Sequence, residues 1–204
     1  MRAVTWHGTK DVRVDTVPDP VIQQPTDAIV RITTTNICGS DLHLYEPLGP
    51  FMHKGDVLGH EPMGIVVETG SETGDLEVGD RVVIPFQIAC GHCWMCTRGL
   101  PTQCETTQVR ERGTGAALFG YSRLYGAVPG GQAEYLRVPQ AQFTHIKLPE
   151  GPPTTGSPTS RTSCPPPGRV WSTPACPTAG PSSSSGWARS VTSPAGSVST
   201  RATG

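Results

Sequence analysis

Cys90-Gly-His-Cys93-Trp-Met-Cys96, with seven residues between its last thiol and Cys104, sets four cysteines at C-x2-C-x2-C-x7-C spacing. The short gaps fold each pair into a tight turn, and the longer gap lets the fourth arm return. The four sulfurs can therefore close a tetrahedral shell around one zinc. A complete thiolate shell leaves no position open for water or substrate, so such a site holds a loop and performs no chemistry. Two alternatives stand beside it. A disulfide pair calls for an oxidising compartment, and an iron–sulfur cluster ordinarily places its last cysteine three residues on, followed by proline.

A second set of chemically able residues comes earlier. Cys38-Gly-Ser40-Asp41-Leu-His43 follows a strand signal, and Gly59-His60-Glu61 precedes the next one. A thiolate, an imidazole and nearby carboxylates at strand ends can converge on a second metal. The same residues also have bland readings: a lone cysteine is usually a small buried hydrophobe, and a lone histidine a satisfied core or surface residue.

The elements that must position these groups read as short strands. Residues Met1 to Thr5, Val12 to Val17, Ala28 to Thr35, Gly64 to Thr69, Arg81 to Pro85, Gln132 to Val138 and Phe143 to Leu148 carry the β-branched enrichment or alternation of strands. Pro18-Asp-Pro20 and the Gly74-Asp75 and Gly79-Asp80 pairs break the chain between them. Helical periodicity is almost absent. The expected fold class is mainly β, a small, partly closed barrel with a zinc-binding lobe.

Composition divides the chain in two. Residues 151–204 hold no Asp, Glu, Lys, Leu, Ile, Phe, Tyr or Met, and 43 of those 54 residues are Pro, Ser, Thr, Gly or Ala. A tail of that kind has almost nothing to bury and is expected to be disordered. The body, residues 1–150, carries 12 Lys plus Arg against 17 Asp plus Glu and is the expected folded domain. A formal charge of -1 over the chain makes no electrostatic case for nucleic acid or a membrane surface. No apolar run approaches membrane-spanning length and no signal-peptide pattern opens the chain, so the cytoplasm is the expected compartment, which suits reduced cysteines.

Ile-Cys38-Gly-Ser40-Asp41-Leu-His43, Gly59-His60-Glu61-Pro-Met-Gly64, Val78-Gly79-Asp80-Arg81-Val and the four-cysteine run stand in one order over residues 1–150. That order resembles the zinc-dependent medium-chain alcohol dehydrogenases. Phe119-Gly-Tyr-Ser-Arg-Leu-Tyr-Gly leading into Gly130-Gly131-Gln132-Ala-Glu134-Tyr135 looks most like the glutathione-independent formaldehyde dehydrogenase branch. The resemblance implies a GroES-like domain followed by a Rossmann domain that binds NAD(P), a small alcohol or aldehyde substrate, and a homo-oligomer. By motif, Cys38 and His60 become catalytic zinc ligands, Glu61 a carboxylate at that metal and Asp41 the partner that orients His60. Ser40 and His43 would pass the proton, and Cys90, Cys93, Cys96 and Cys104 would hold the structural zinc. Zinc would polarise the substrate oxygen and lower the alcohol pKa, making hydride loss to the nicotinamide feasible near neutral pH. The branch's third ligand is an Asp just beyond the strands, where this chain has none.

The tail has a second reading. In Pro181-Ser-Ser-Ser-Ser185-Gly-Trp-Ala-Arg-Ser-Val-Thr192, serine codons beginning TC become NTC when read one base earlier, and NTC encodes only Phe, Leu, Ile or Val. Trp187 followed by Ala188 then forces a glycine, and one choice of codons gives Thr-Val-Val-Val-Leu-Gly-Leu-Gly-Pro-Ile-Gly-Asp. That is a strand running into Gly-x-Gly-x-x-Gly, the dinucleotide fingerprint. The same shift over Ser157 to Val170 permits a segment with an Asp overlapping the codon of Thr162. The frame reading therefore predicts a shift shortly after Pro152. An authentic Ser/Thr/Pro-rich linker predicts no such hidden strand. A noncatalytic zinc-binding barrel or interaction module is the competing functional class.

Overall fold

The structure, a computed structural model, describes residues 1–149. Two antiparallel strands, β1 (Arg2–Gly8) and β2 (Asp11–Thr16), form a hairpin. A five-stranded antiparallel sheet follows, built from β3 (Ala28–Thr35), β4 (Pro62–Thr69), β5 (Arg81–Val83), β6 (Tyr135–Val138) and β7 (Ile146–Lys147) in the order β6-β3-β4-β5-β7. Single bridges, Ala3 with Ala133 and Thr5 with Val57, tie the hairpin to the chain around the larger sheet. The architecture is mainly β, as composition and punctuation imply.

Central strand β3 shows why the pattern is not a simple alternation. Ala28, Ile29 and Val30 are all buried because β4 and β6 flank them and core side chains cover the strand. Val30, Val66, Val82, Leu136, Val138, Ile84, Ile88 and Phe119 make the main apolar cluster. In β2 the alternation of Val12 and Val14 marks a strand but not a core face, since both side chains are exposed. Asp27, 1% exposed, precedes β3 and accepts hydrogen bonds from the Gln23 and Gln24 amides at 3.0 Å while pairing with Arg137 at 3.1 Å. A buried carboxylate so surrounded is held by its partners.

Three expected strands shorten, and the one expected over Arg81 to Pro85 ends at Val83. The chain at Gln132 to Glu134 bonds to Leu58 and Arg2 and enters the sheet only at Tyr135, and a turn closed by the Phe143 and Thr144 amides on Gln140 delays β7 to Ile146. Two short helices, α1 (Gly39–Tyr45) and α2 (Trp94–Thr97), went unread in the sequence, being too short to display a 3.6-residue period. Helix α1 is specified by its first turn. Cys38 is the N-cap, its sulfur accepting the Ser40 amide at 3.3 Å, and the Asp41 carboxylate accepts the Cys38 amide at 2.8 Å. This is a capping box with sulfur in the usual hydroxyl position.

Candidate metal centres and the adjoining cavity

Helix α2 and its flanking turns gather Cys90, Cys93, Cys96 and Cys104, whose sulfurs all lie within 4.8 Å of one another. Cys93 and Cys104 sulfurs stand 3.9 Å apart, far beyond a disulfide bond and close to the ~3.8 Å edge of a tetrahedron with Zn–S near 2.3 Å. All four are free thiols. Protein donors already point at the sulfurs: the Cys93 amide and Thr106 hydroxyl at Cys90, the Glu105 amide at Cys93 and the Cys90 amide at Cys104. Burial works against the Cys93 thiolate, but the Cys96 and Glu105 amides outweigh it and bring that thiol down to about 6. Burial pushes the Cys96 thiol up, with Cys93 and Cys104 beside it adding to the shift. Four sulfurs sharing one small space would each be relieved by a divalent cation. The donor set fits a closed zinc site.

The second cluster joins α1 to the turn before β4. Cys38 Sγ lies 3.0 Å from His60 Nε2, slightly inside the ~3.6 Å edge expected between sulfur and nitrogen on one tetrahedral zinc. Asp41 Oδ1 lies 3.5 Å from the other ring nitrogen, Nδ1. Asp41 and His60 are 7% and 8% exposed, so a carboxylate and an imidazole are buried side by side. Burial raises the Asp41 carboxyl above its usual range, against the Cys38 amide and the His60 charge. Cys38, Asp41 and His60 together can hold a metal ion. The ring divides the work: Nε2 faces the thiol and Nδ1 faces the carboxylate, which suits a ligand histidine oriented by an acid. Glu61, read in the sequence as a carboxylate at the metal, falls outside this set. Its charge still reaches Asp41, where it adds to the upward shift of that carboxyl.

A cavity of about 210 Å³ opens beside His60, lined by Ser40, His60, Phe86, Leu118, Tyr121 and Tyr125. Burial raises the Tyr121 phenol above its usual range, and Tyr125 with the Cys38 and Asp41 charges adds to it, so the hydroxyl stays protonated. Ser40 and His43 sit one turn apart on α1, on one face. Ser40 reaches the cavity and His43 is exposed, and no hydrogen bond joins the two among the described residues. The aromatic wall was not singled out by sequence reasoning. Its only signal there was the Phe119-Gly-Tyr121 run, in which a glycine between aromatics marks a close backbone approach. Gly113-Thr-Gly115 is a loop: Gly113 caps a 3-10 turn with positive φ, and Gly115 lies against the Thr102 carbonyl.

Comparison with known proteins adds the lineage. Residues 24–150 match the family described as the alcohol dehydrogenase GroES-like domain. An uncharacterized zinc-type alcohol dehydrogenase-like protein of Bacillus subtilis is 55% identical over 150 residues, covering 74% of this chain and 39% of that protein. Formaldehyde dismutase of Pseudomonas putida is 42% identical over 153 residues, covering 72% of this chain and 37% of its own length. Among solved structures, an alcohol dehydrogenase from Thermus sp. ATN1 superposes with a TM-score of 0.66 at 43% identity, over 74% of this chain and 40% of that one. The chain thus spans about two fifths of the length of these relatives. With half the chain or more inside one family match, and the cysteine lobe and the Cys38–His60 pair within it, the chain belongs to the zinc-type alcohol dehydrogenase family.

Proposed function

We propose that residues 1–150 are the zinc-binding catalytic half of an NAD(P)-linked dehydrogenase acting on a small alcohol or aldehyde. The convergence of Cys38, Asp41 and His60 beside an aromatic-walled cavity that also contains Ser40 carries this reading. Cys38 and His60 would hold the zinc, and Asp41 would keep the imidazole turned toward it. Zinc supplies Lewis acidity toward the substrate oxygen and the nicotinamide accepts hydride.

The remaining work falls to side chains of this chain. Ser40, on the cavity wall, takes the proton of the substrate hydroxyl, and His43, one turn along α1 and exposed, delivers it to solvent. The two are not hydrogen-bonded, so transfer runs through a rotamer change or one intervening water. Phe86, Leu118, Tyr121 and Tyr125 receive the carbon skeleton and keep water from the reacting end. The Cys90–Cys104 lobe would hold the second zinc and do no chemistry.

We infer further that the sequence after Pro152 is read in a shifted frame, and that the restored frame supplies both the missing Asp ligand and the dinucleotide fingerprint. These positions lie outside the described residues. Hydride transfer needs its acceptor held against the substrate, so the chain as written lacks dehydrogenase activity. The test follows NAD(P)H formation with short alcohols and hydrated formaldehyde, for this chain and for one whose DNA carries a single inserted base after the Pro152 codon. Turnover is expected from the second alone. Turnover by the first, or a restored chain that binds no nicotinamide, would overturn the reading.

A further inference from the structure

His60 is oriented without a hydrogen bond at its inner nitrogen. Asp41 Oδ1 approaches Nδ1 at 3.5 Å, too far for a well-formed bond, and both atoms are buried without a hydrogen-bond partner among the described residues. Beyond the Cys38 contact at Nε2 and the Asp41 charge at Nδ1, the ring plane is therefore left to packing.

Tyr121 meets the imidazole edge to face, with ring centroids 6.2 Å apart and planes at 86°. Tyr125 meets Tyr121 in the same way, at 5.7 Å and 74°. The ladder His60–Tyr121–Tyr125 is anchored at both ends. At one end, Gly59 and Gly120, the residues just before His60 and Tyr121, press backbone to backbone. A Cβ on Gly120 would stand 2.3 Å from the Gly59 oxygen, so the two aromatic residues are forced to be neighbours. At the other end the 3-10 turn Arg123–Tyr125 is fixed by the Leu118 amide on the Tyr125 carbonyl at 3.0 Å and by the Thr114 hydroxyl on the Leu124 carbonyl at 2.6 Å. The Arg123 guanidinium adds a bond to the Pro50 carbonyl at 2.9 Å.

We propose that Tyr121 is a positioning residue: its ring, buttressed by Tyr125, sets the His60 imidazole plane so that Nε2 and the Cys38 thiol already converge before a metal binds. This rests on the reading of Cys38 and His60 as metal ligands. What matters is the ring, not the hydroxyl. Its removal lets the imidazole turn about its own axis, and the site then spends binding free energy on ordering it.

The experiment is cobalt(II) titration of the full chain, read by the thiolate-to-metal absorption. Two steps are expected, a strong one from the four-cysteine lobe and a weaker one from Cys38 that disappears in His60→Ala. Tyr121→Leu should weaken the second step roughly two- to tenfold, the range an edge-to-face pair commands. It should leave the first step in place. Tyr121→Phe should restore the parent value. A Tyr121→Leu chain that titrates like the parent overturns the proposal, and so does a Tyr121→Phe chain as impaired as Tyr121→Leu. Should Tyr121→Leu fail to fold, Tyr125→Leu decides, since loss of the buttress must shift the second step in the same direction. A parent chain without a second step overturns the metal-site reading itself, and the positioning role falls with it.

Discussion

At the scale of single residues, each cysteine of the lobe carries a distinct electrostatic load. The Cys93 thiol is brought down to about 6 by amides that outweigh its burial, whereas Cys96, 6% exposed, is held protonated by burial. Only a cation bound among the sulfurs reconciles a buried Cys96 thiolate with three sulfur neighbours. Cys96→Ser should cost the lobe much of its zinc, because a hydroxyl at that position is a poor zinc ligand and only three thiolates remain in the shell. Elemental analysis of the parent and variant proteins checks this, and equal zinc content in both would sink the lobe assignment. Asp41 illustrates how one side chain serves two levels. Its Oδ2 caps α1 through the Cys38 amide, and its Oδ1 lies beside His60. The cap gives Asp41 a structural reason to exist even without a metal, and the same cap pins the sulfur of Cys38 against the helix N-terminus.

Elements position the site through backbone contact more than through side-chain bonds. Gly59, with φ of +103°, and Gly120, with φ of +54°, let the turn before β4 and the loop after Phe119 touch where side chains would collide. A methyl group on Gly120 would meet the Gly59 oxygen at 2.3 Å and its nitrogen at 2.5 Å, and neither backbone atom can move aside cheaply. Gly120→Ala should cost about 1–3 kcal/mol or more of stability in urea unfolding. Gly126→Ala is the control. It also has positive φ, +92°, but its Cβ would meet the Ala117, Val109 and Val128 methyl groups at 3.4, 3.5 and 3.8 Å, ordinary contact distances, so the loss should stay at about 1 kcal/mol. Equal losses at the two positions would mean that backbone conformation, not close approach, explains the glycine at 120.

For the whole molecule, three buried clusters divide the described chain: the sheet core around Val30, Val66 and Phe119, the cysteine lobe, and a third under the hairpin around Trp6, Leu44 and Leu58. Among the described residues no helix is long and apolar enough to cross a membrane. Since these clusters are built from residues before Pro149, a chain ended there should unfold at the same urea midpoint as the full chain and hold the same lobe zinc. A loss of unfolding free energy greater than about 1 kcal/mol would show that residues beyond it contribute to the fold. Much of the molecule was legible in the amino-acid order. Local spacing is enough to bring Cys90 to Cys104 around one ion, because short gaps between ligands close through turns that hardly depend on distant chain. The β-branched runs likewise marked most strands, because such side chains fit a pleated, half-buried surface. Helix α1 stayed hidden, since a seven-residue helix held by a Cys38–Asp41 cap is too short to show a period. The motif order implied that Cys38 meets His60, but the geometry of that meeting and the placing of Tyr121 on the imidazole were decided by the tertiary structure. Each depends on backbones distant in sequence coming together, β3 against β4 and Gly59 against Gly120, and no local spacing encodes such an approach.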